Sequence, residues 1–185
     1  MRIAVYSGSF NPLHVGHLAT MEYLSVWEGA DWTYLVVSPQ NPLKDASGAA
    51  SGKERYRAAL SALERHPQLR VWLDDIEMRM PQPSYTIRTL DTLRRMEPHN
   101  DLFLVIGGDN LSNIRRWRDY TRILLEYGVA VYPREGFDLE KLRSELLTEN
   151  PAYRVTLLDC PLVNISSTQI REALARGGDV SAWLM

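Results

Sequence analysis

This sequence has one cysteine, Cys160, so neither a disulfide framework nor a multi-cysteine zinc site is available to it. It has no apolar run approaching the roughly 20 residues a membrane-spanning helix needs. The apolar stretch at its N-terminus is too short for a signal peptide, so a cytoplasmic protein without a membrane partner is expected. Neither charge dominates: 21 Lys and Arg face 23 Asp and Glu, for a net charge of −2. The broad basic footprint of a nucleic-acid binder is therefore missing, although a local basic site stays open. Internal repeats and linkers are also missing. The 185 residues are expected to form one domain, 1–185, long enough to bury a core.

What is present is an alternation of short β-rich runs with helix-period segments. "RIAVYS" (2–7), "WTYLVVS" (32–38), "LRVWL" (69–73), "LFLVIGG" (102–108), "VAVYP" (129–133) and residues 153–158 read as strands. The fourth is continuously apolar, as for a central strand buried on both faces. Helices are expected over 15–28, 53–66, 85–96, 111–127, 138–148 and 167–176. Tyr56, Ala59, Leu60 and Leu63 form the apolar stripe of the second, and Leu18, Met21 and Leu24 that of the first. The Pro-, Gly- and Ala-bearing stretch 39–52 is a long loop of the kind that often covers a substrate. The alternation predicts an α/β fold with a doubly wound parallel sheet, whose ligand lies beyond the carboxyl ends of its strands.

"GSFNPLHVGH" (8–17) runs from the end of the first strand into the first helix. Backbone N–H groups and the helix dipole favour an anion there. Gly8 and Gly16 permit close approach, and His14 and His17, three residues apart, fall on one side of the helix start. An imidazolium at a helix N-terminus is unfavourable unless a phosphate offsets it, so a polyphosphate ligand explains the placement. A plain glycine-bearing turn would also explain the two glycines. Zinc is disfavoured, since no cysteine or carboxylate stands near as a third ligand. "NISSTQIREAL" (164–174) offers a second helix start: Ser166 and Gln169 fit a capping box, with Ile170, Ala173 and Leu174 as buried stripe. That structural role leaves Thr168 and Arg171 unexplained, and both suit phosphate oxygens.

The pair "GSFNPLHVGH" and "ISSTQIR" resembles the HxGH nucleotidyltransferase superfamily with its SxTxxR signature. "PSYTIRTL" (83–90) and "GGDNLSNIRRW" (107–117) are similar to the bacterial nicotinate-nucleotide adenylyltransferases within it, in the expected order across nearly the whole chain. The resemblance implies a Rossmann-like nucleotidyltransferase fold and a reaction in NAD biosynthesis: ATP and nicotinate mononucleotide give deamido-NAD and pyrophosphate, with Mg²⁺ carried on the ATP phosphates. It implies that His14, His17 and Arg171 act catalytically, and that Gly8, Ser9, Phe10, Lys44, Asp109, Ser166, Ser167 and Thr168 join them in binding ATP. Ser84, Tyr85, Thr86, Gly107, Asp109 and Trp117 would bind the mononucleotide, its carboxylate on the N–H groups of Tyr85 and Thr86 and its ring on Trp117. For Trp117 a core aromatic, for Asp109 a helix N-cap and for Lys44 a solvated loop lysine are the alternatives. The chain departs from the family at "PQNPLK", where PNxxPPHK-like sequences are common, and at "GGD" in place of GAD; family members usually continue past "DVSAWLM".

Phosphopantetheine adenylyltransferases have Thr where His14 stands and no counterpart of "PSYT" or Trp117. Cytidylyltransferases carry a different C-terminal motif, and a class I tRNA synthetase does not fit in 185 residues. A non-catalytic nucleotide-sensing module would be expected to have lost His14, His17 or Arg171, and all three are present. A homo-oligomer is left open.

Overall fold

The computed structural model describes residues 1–39 and 51–185. Six parallel strands form one sheet: β1 (Arg2–Gly8), β2 (Trp32–Val37), β3 (Val71–Asp74), β4 (Asp101–Gly107), β5 (Val129–Tyr132) and β6 (Val155–Leu157). Their order is β3-β2-β1-β4-β5-β6, and each neighbouring pair is parallel. The order reverses between β1 and β4, so the carboxyl ends of these two strands flank the crevice where doubly wound sheets bind ligands.

Each strand alternates its side chains between two apolar layers. Ile3 and Val5 of β1 join Leu104, Ile106, Val129 and Val131 on one face, beneath Ile87, Leu90 and Leu93 of α4 (Thr86–Met96). Ala4 and Tyr6 face the other way with Leu35, Phe103, Val105 and Ala130, beneath Met21 and Leu24 of α1 (Val15–Val26) and Ala59 and Ala62 of α2 (Gly52–Glu64). Residues Leu102 to Ile106 of β4 are all buried, as its unbroken apolar run predicts.

Three helical expectations need correction. The buried face of α2 is Arg55, Ala59 and Ala62, whereas Leu60 is 44% exposed. The helix is turned so that the Arg55 guanidinium faces inward, where it bonds backbone carbonyls. The expected helix over 111–127 is broken into α5 (Gly108–Asn113), a 3-10 turn (Ile114–Arg116), α6 (Tyr120–Arg122) and a π-turn (Ile123–Tyr127). Asp119 lies between the pieces with φ at +51°, the left-handed region that a continuing helix excludes. After α7 (Leu139–Glu149), α8 (Ser167–Ala175) buries only Ile170 of its expected stripe, and Leu174 is 52% exposed. A one-turn helix, α3 (Ile76–Arg79), was not marked by any apolar period. Among the described residues no helix is long and apolar enough to cross a membrane.

Candidate active site

The histidines are positioned by helix capping. His14 is the N-cap of α1: its Nδ1 accepts the Gly16 N–H at 3.1 Å, while His17 Nδ1 accepts the His14 N–H at 3.1 Å. A reciprocal box of this kind is usually made by Ser or Thr with Glu or Gln. Here two imidazoles make it, and their rings stack at 3.7 Å between centroids. Gly16 allows this arrangement, because a Cβ on it would sit 2.9 Å from His14 Cε1. Phe10, itself at φ +46°, packs edge-on to the His17 ring at 5.0 Å.

Both Nδ1 atoms accept, so each neutral ring carries its proton on Nε2. The neutral form prevails in the free protein. Burial, with Arg134 adding to it, pushes His14 down to about 4 from 6.5. Burial, then the His14 charge, then Arg134, hold His17 well below its ordinary value. The site thus presents two N–H donors that an arriving anion can convert to imidazolium.

The second motif docks onto the first. Ser166 caps α8 in the expected box with Gln169. Ser167 Oγ donates to the Pro12 carbonyl at 3.0 Å, and Arg171 donates to the Asn11 carbonyl at 2.6 Å and to Thr168 Oγ1 at 3.2 Å. The two helix starts therefore share one wall of a cleft of about 550 Å³. Gly8, Ser9, Phe10, His14, His17, Asp109, Ser166, Ser167, Thr168 and Arg171 all line it. It lies beyond the carboxyl ends of β1, β2, β4 and β5, as the topology requires. Among the described residues its charged lining is Arg55, Arg134 and Arg171 against Asp109, a local positive site in a chain of net charge −2.

Asp109 lies in the first turn of α5, whose N-cap is Gly107, so the alternative N-cap role for Asp109 is not observed. It pairs with Arg134 at 3.6 Å. A Cβ on Gly107 would stand 2.6 Å from Asp109 Oδ1 and 2.9 Å from Tyr132 Cε2, so a side chain there would displace these groups. Ser84, Tyr85, Thr86, Gly107 and Trp117 are outside the lining of the cleft. Tyr85 is the N-cap of α4, with no side chain capping the helix. Its ring carries the guanidinium of Arg118 at 4.5 Å and that of Arg88 at 5.1 Å. Trp117 is half-buried against the core, at the turn where the expected helix breaks. Lys44 falls outside the described residues.

Sequence reasoning missed Arg55 and Arg134. Arg134 follows the end of a parallel strand, a position that carried a usable signal. Arg55 shares a helix face with Ala59 and Ala62, and its charge disguised that position as surface. Among the described residues no group of three or more His, Cys, Asp or Glu side chains could hold a metal ion.

The sequence pattern of the cytidylyltransferase-like family matches residues 5–173. A Bacteroides fragilis protein named "Probable nicotinate-nucleotide adenylyltransferase" is 40% identical over 183 residues, 99% of this chain and 87% of its own. One of the same name from Flavobacterium johnsoniae is 35% identical over 100% of this chain and 92% of its own. Two structures of the Plasmodium falciparum nicotinic acid mononucleotide adenylyltransferase, complexed with APC and with NaAD, share the fold at TM-scores of 0.80 and 0.82, with 17% and 18% identity. Each covers 99% of this chain and 90% of the other. The motif order, the cleft at the switch point of the sheet and the full-length similarity converge: the chain belongs to the cytidylyltransferase-like family and, within it, to the nicotinate-nucleotide adenylyltransferases.

Proposed function

We propose that this protein joins ATP and nicotinate mononucleotide to give deamido-NAD and pyrophosphate, as a step of NAD biosynthesis. A phosphate oxygen of the mononucleotide attacks the α-phosphorus of ATP. The bond to the β-phosphate breaks, and pyrophosphate leaves. The observation that carries this reading is the pair of capping imidazoles, neutral and proton-bearing at Nε2, in a cleft whose described lining carries three guanidinium groups and one carboxylate. Nothing in that set is a nucleophile poised for covalent chemistry. Preorganised donors around a transferring phosphoryl group are what the reaction requires, since positioning and charge stabilisation supply most of the catalysis.

His14 and His17 stabilise charge on the α-phosphate, while Thr168 and Arg171 hold the β- and γ-phosphates and favour pyrophosphate departure. Gly8, Ser9 and Phe10 line the nucleotide with backbone, and Lys44, outside the described residues, is a further candidate for the phosphates. Ser166 and Ser167 present the start of α8 to the phosphates, and Asp109 bonds ribose hydroxyls once freed from Arg134. On the acceptor side Tyr85 and Thr86 offer backbone N–H groups to the nicotinate carboxylate, flanked by Ser84 and Gly107, and Trp117 stacks on the ring. The uncapped start of α4 supports the carboxylate assignment.

Mg²⁺ arrives with ATP as part of the substrate and neutralises phosphate charge. The donor set is compatible with that role: among the described residues Asp109 is the one carboxylate lining the cleft, so the metal would be held mainly by the phosphates it accompanies. The chain acts as a single nucleotidyltransferase domain in the cytoplasm, without a nucleic-acid or membrane partner; its acidic net charge supports the former exclusion. A pyrophosphate-release assay with ATP, Mg²⁺ and nicotinate mononucleotide tests the reading, with the product identified by its mass. Pyrophosphate and deamido-NAD in equal amounts are expected; ATP left intact would overturn it.

A further inference from the structure

We propose that Glu77 is a positioning residue that ties the nucleotide half of the site to the acceptor half, an inference that rests on the adenylyl transfer just proposed. Glu77 lies on α3, outside every motif, and is 3% exposed. A buried carboxylate is costly unless it is hydrogen-bonded. This one is bonded on both oxygens: Oε1 accepts from Ser7 Oγ at 3.0 Å and Thr89 Oγ1 at 2.9 Å, and Oε2 accepts from Ser38 Oγ. The Ser7 and Ser38 hydroxyls are themselves 3.0 Å apart. The Glu77 backbone carbonyl accepts from Gln82 Nε2 at 3.2 Å, and Gln82 Oε1 accepts the Ser84 N–H at 3.3 Å.

These partners come from the parts of the molecule that adenylyl transfer must hold in register. Ser7 is the penultimate residue of β1, just before the "GSFNPLHVGH" stretch, and Ser38 follows β2; both line the nucleotide cleft. Thr89 lies in the first turn of α4, three residues past Thr86. Arg55 reinforces the same strand ends by donating to the carbonyls of Ser9 and Ser38, each at 2.6 Å. Glu77 adds the reach to α4, so the helix start that receives the acceptor is referenced to the wall that holds ATP. Stability alone does not call for a carboxylate here, because well-packed apolar groups often replace buried ionic networks without loss. In-line attack does call for a fixed separation, since a misplacement of about 1 Å can cost on the order of 10²-fold in rate.

Thr89→Val cuts the tie to α4 and leaves the Ser7 and Ser38 bonds in place; Thr89→Ser keeps the tie. The readouts are kcat, KM for nicotinate mononucleotide, Kd for ATP without acceptor, and melting temperature. Thr89→Val is expected to lower kcat by about tenfold or more with ATP affinity within about twofold of wild type, and Thr89→Ser to restore kcat to within about threefold. An unchanged kcat, an equal loss of kcat and ATP affinity, or a Thr89→Ser as impaired as Thr89→Val overturns the role. If Thr89→Val does not fold, Glu77→Gln carries the test: a loss in kcat exceeding the loss in ATP affinity is expected, and equal losses overturn it. Wild-type protein inactive on the mononucleotide overturns the reaction and this role together, whereas an active wild type matched by the variants overturns the role alone.

Discussion

The two halves of the site are built by different rules. In the nucleotide half the polar groups are spent on one another before any ligand arrives. His14 and His17 cap each other's backbone, Ser167 and Arg171 bond the carbonyls of Pro12 and Asn11, and Arg134 pairs with Asp109. In the acceptor half the start of α4 is left without a side-chain cap, and Trp117 stands at a break between short helical pieces. Preorganised donors lower a chemical barrier because they need no rearrangement as charge develops. An uncapped helix end selects instead, because it discriminates by the groups a ligand can offer it. On the proposed reading, this difference puts the chemistry in the first half and the choice of substrate in the second.

The largest expected effect falls on the chemistry. Removing a preorganised donor to a developing oxyanion costs roughly 10²–10³ in kcat, so His17→Ala should lose that much with little change in either KM. A turnover within about threefold of wild type would make the imidazole pair a capping device only.

The same preorganisation has a cost in acid. His14 titrates near 4 in the folded protein against an ordinary 6.5. Between those values the unfolded chain binds more protons than the folded one, so stability falls as the pH drops from 6.5 to about 4 and is unaffected by this group above 6.5. The full shift corresponds to about 3 kcal/mol. Urea unfolding at neutral pH and near the lower end of that window should show wild type losing more stability than His14→Ala. Parallel losses would mean that His14 is not held neutral. ATP reverses the sign locally, so calorimetry in buffers of different ionisation heat should report proton uptake on binding below neutral pH.

The proposed acceptor site includes Trp117. Stacking of an aromatic side chain on a base-like ring is worth about 1–3 kcal/mol, so Trp117→Ala should raise KM for nicotinate mononucleotide by at least about tenfold and leave ATP nearly untouched. Equal losses for both substrates would reduce Trp117 to the core packing it also provides. The smallest effect is structural. Ser166→Ala removes a helix cap worth about 1 kcal/mol, which in a chain of this length should lower the melting temperature by about 2–4 °C.

The parts legible in the sequence are those where a period or a spacing carries the information. The six strands and the faces of α1 and α4 follow from apolar alternation, and the histidine pair and the Ser166 box follow from spacings of three within a helix start. The α2 face was misread because an inward arginine looks like surface until the carbonyls it serves are known. The break at Asp119 was hidden because no glycine or proline marks it. Arg55 and Glu77 reach the site through tertiary contacts: Glu77 meets Ser7 across 70 residues and Arg55 meets Ser9 across 46. Such pairings leave no local pattern.

The division of labour between the halves is tested most directly by offering acid and amide acceptors to the same enzyme. The N–H groups at the start of α4 and the helix dipole favour a carboxylate, the dipole by about 0.3–1 kcal/mol and each charged hydrogen bond by about 1.5–3 kcal/mol before desolvation. A nicotinamide group is neutral and would set an NH₂ donor against donors, and a site whose polar groups stay unpaired rejects such a ligand strongly. Steady-state kinetics at saturating ATP should give kcat/KM for nicotinate mononucleotide at least about 10²-fold above that for nicotinamide mononucleotide. Equal efficiencies would contradict the account, because Tyr85 and Thr86 would then not read the carboxylate.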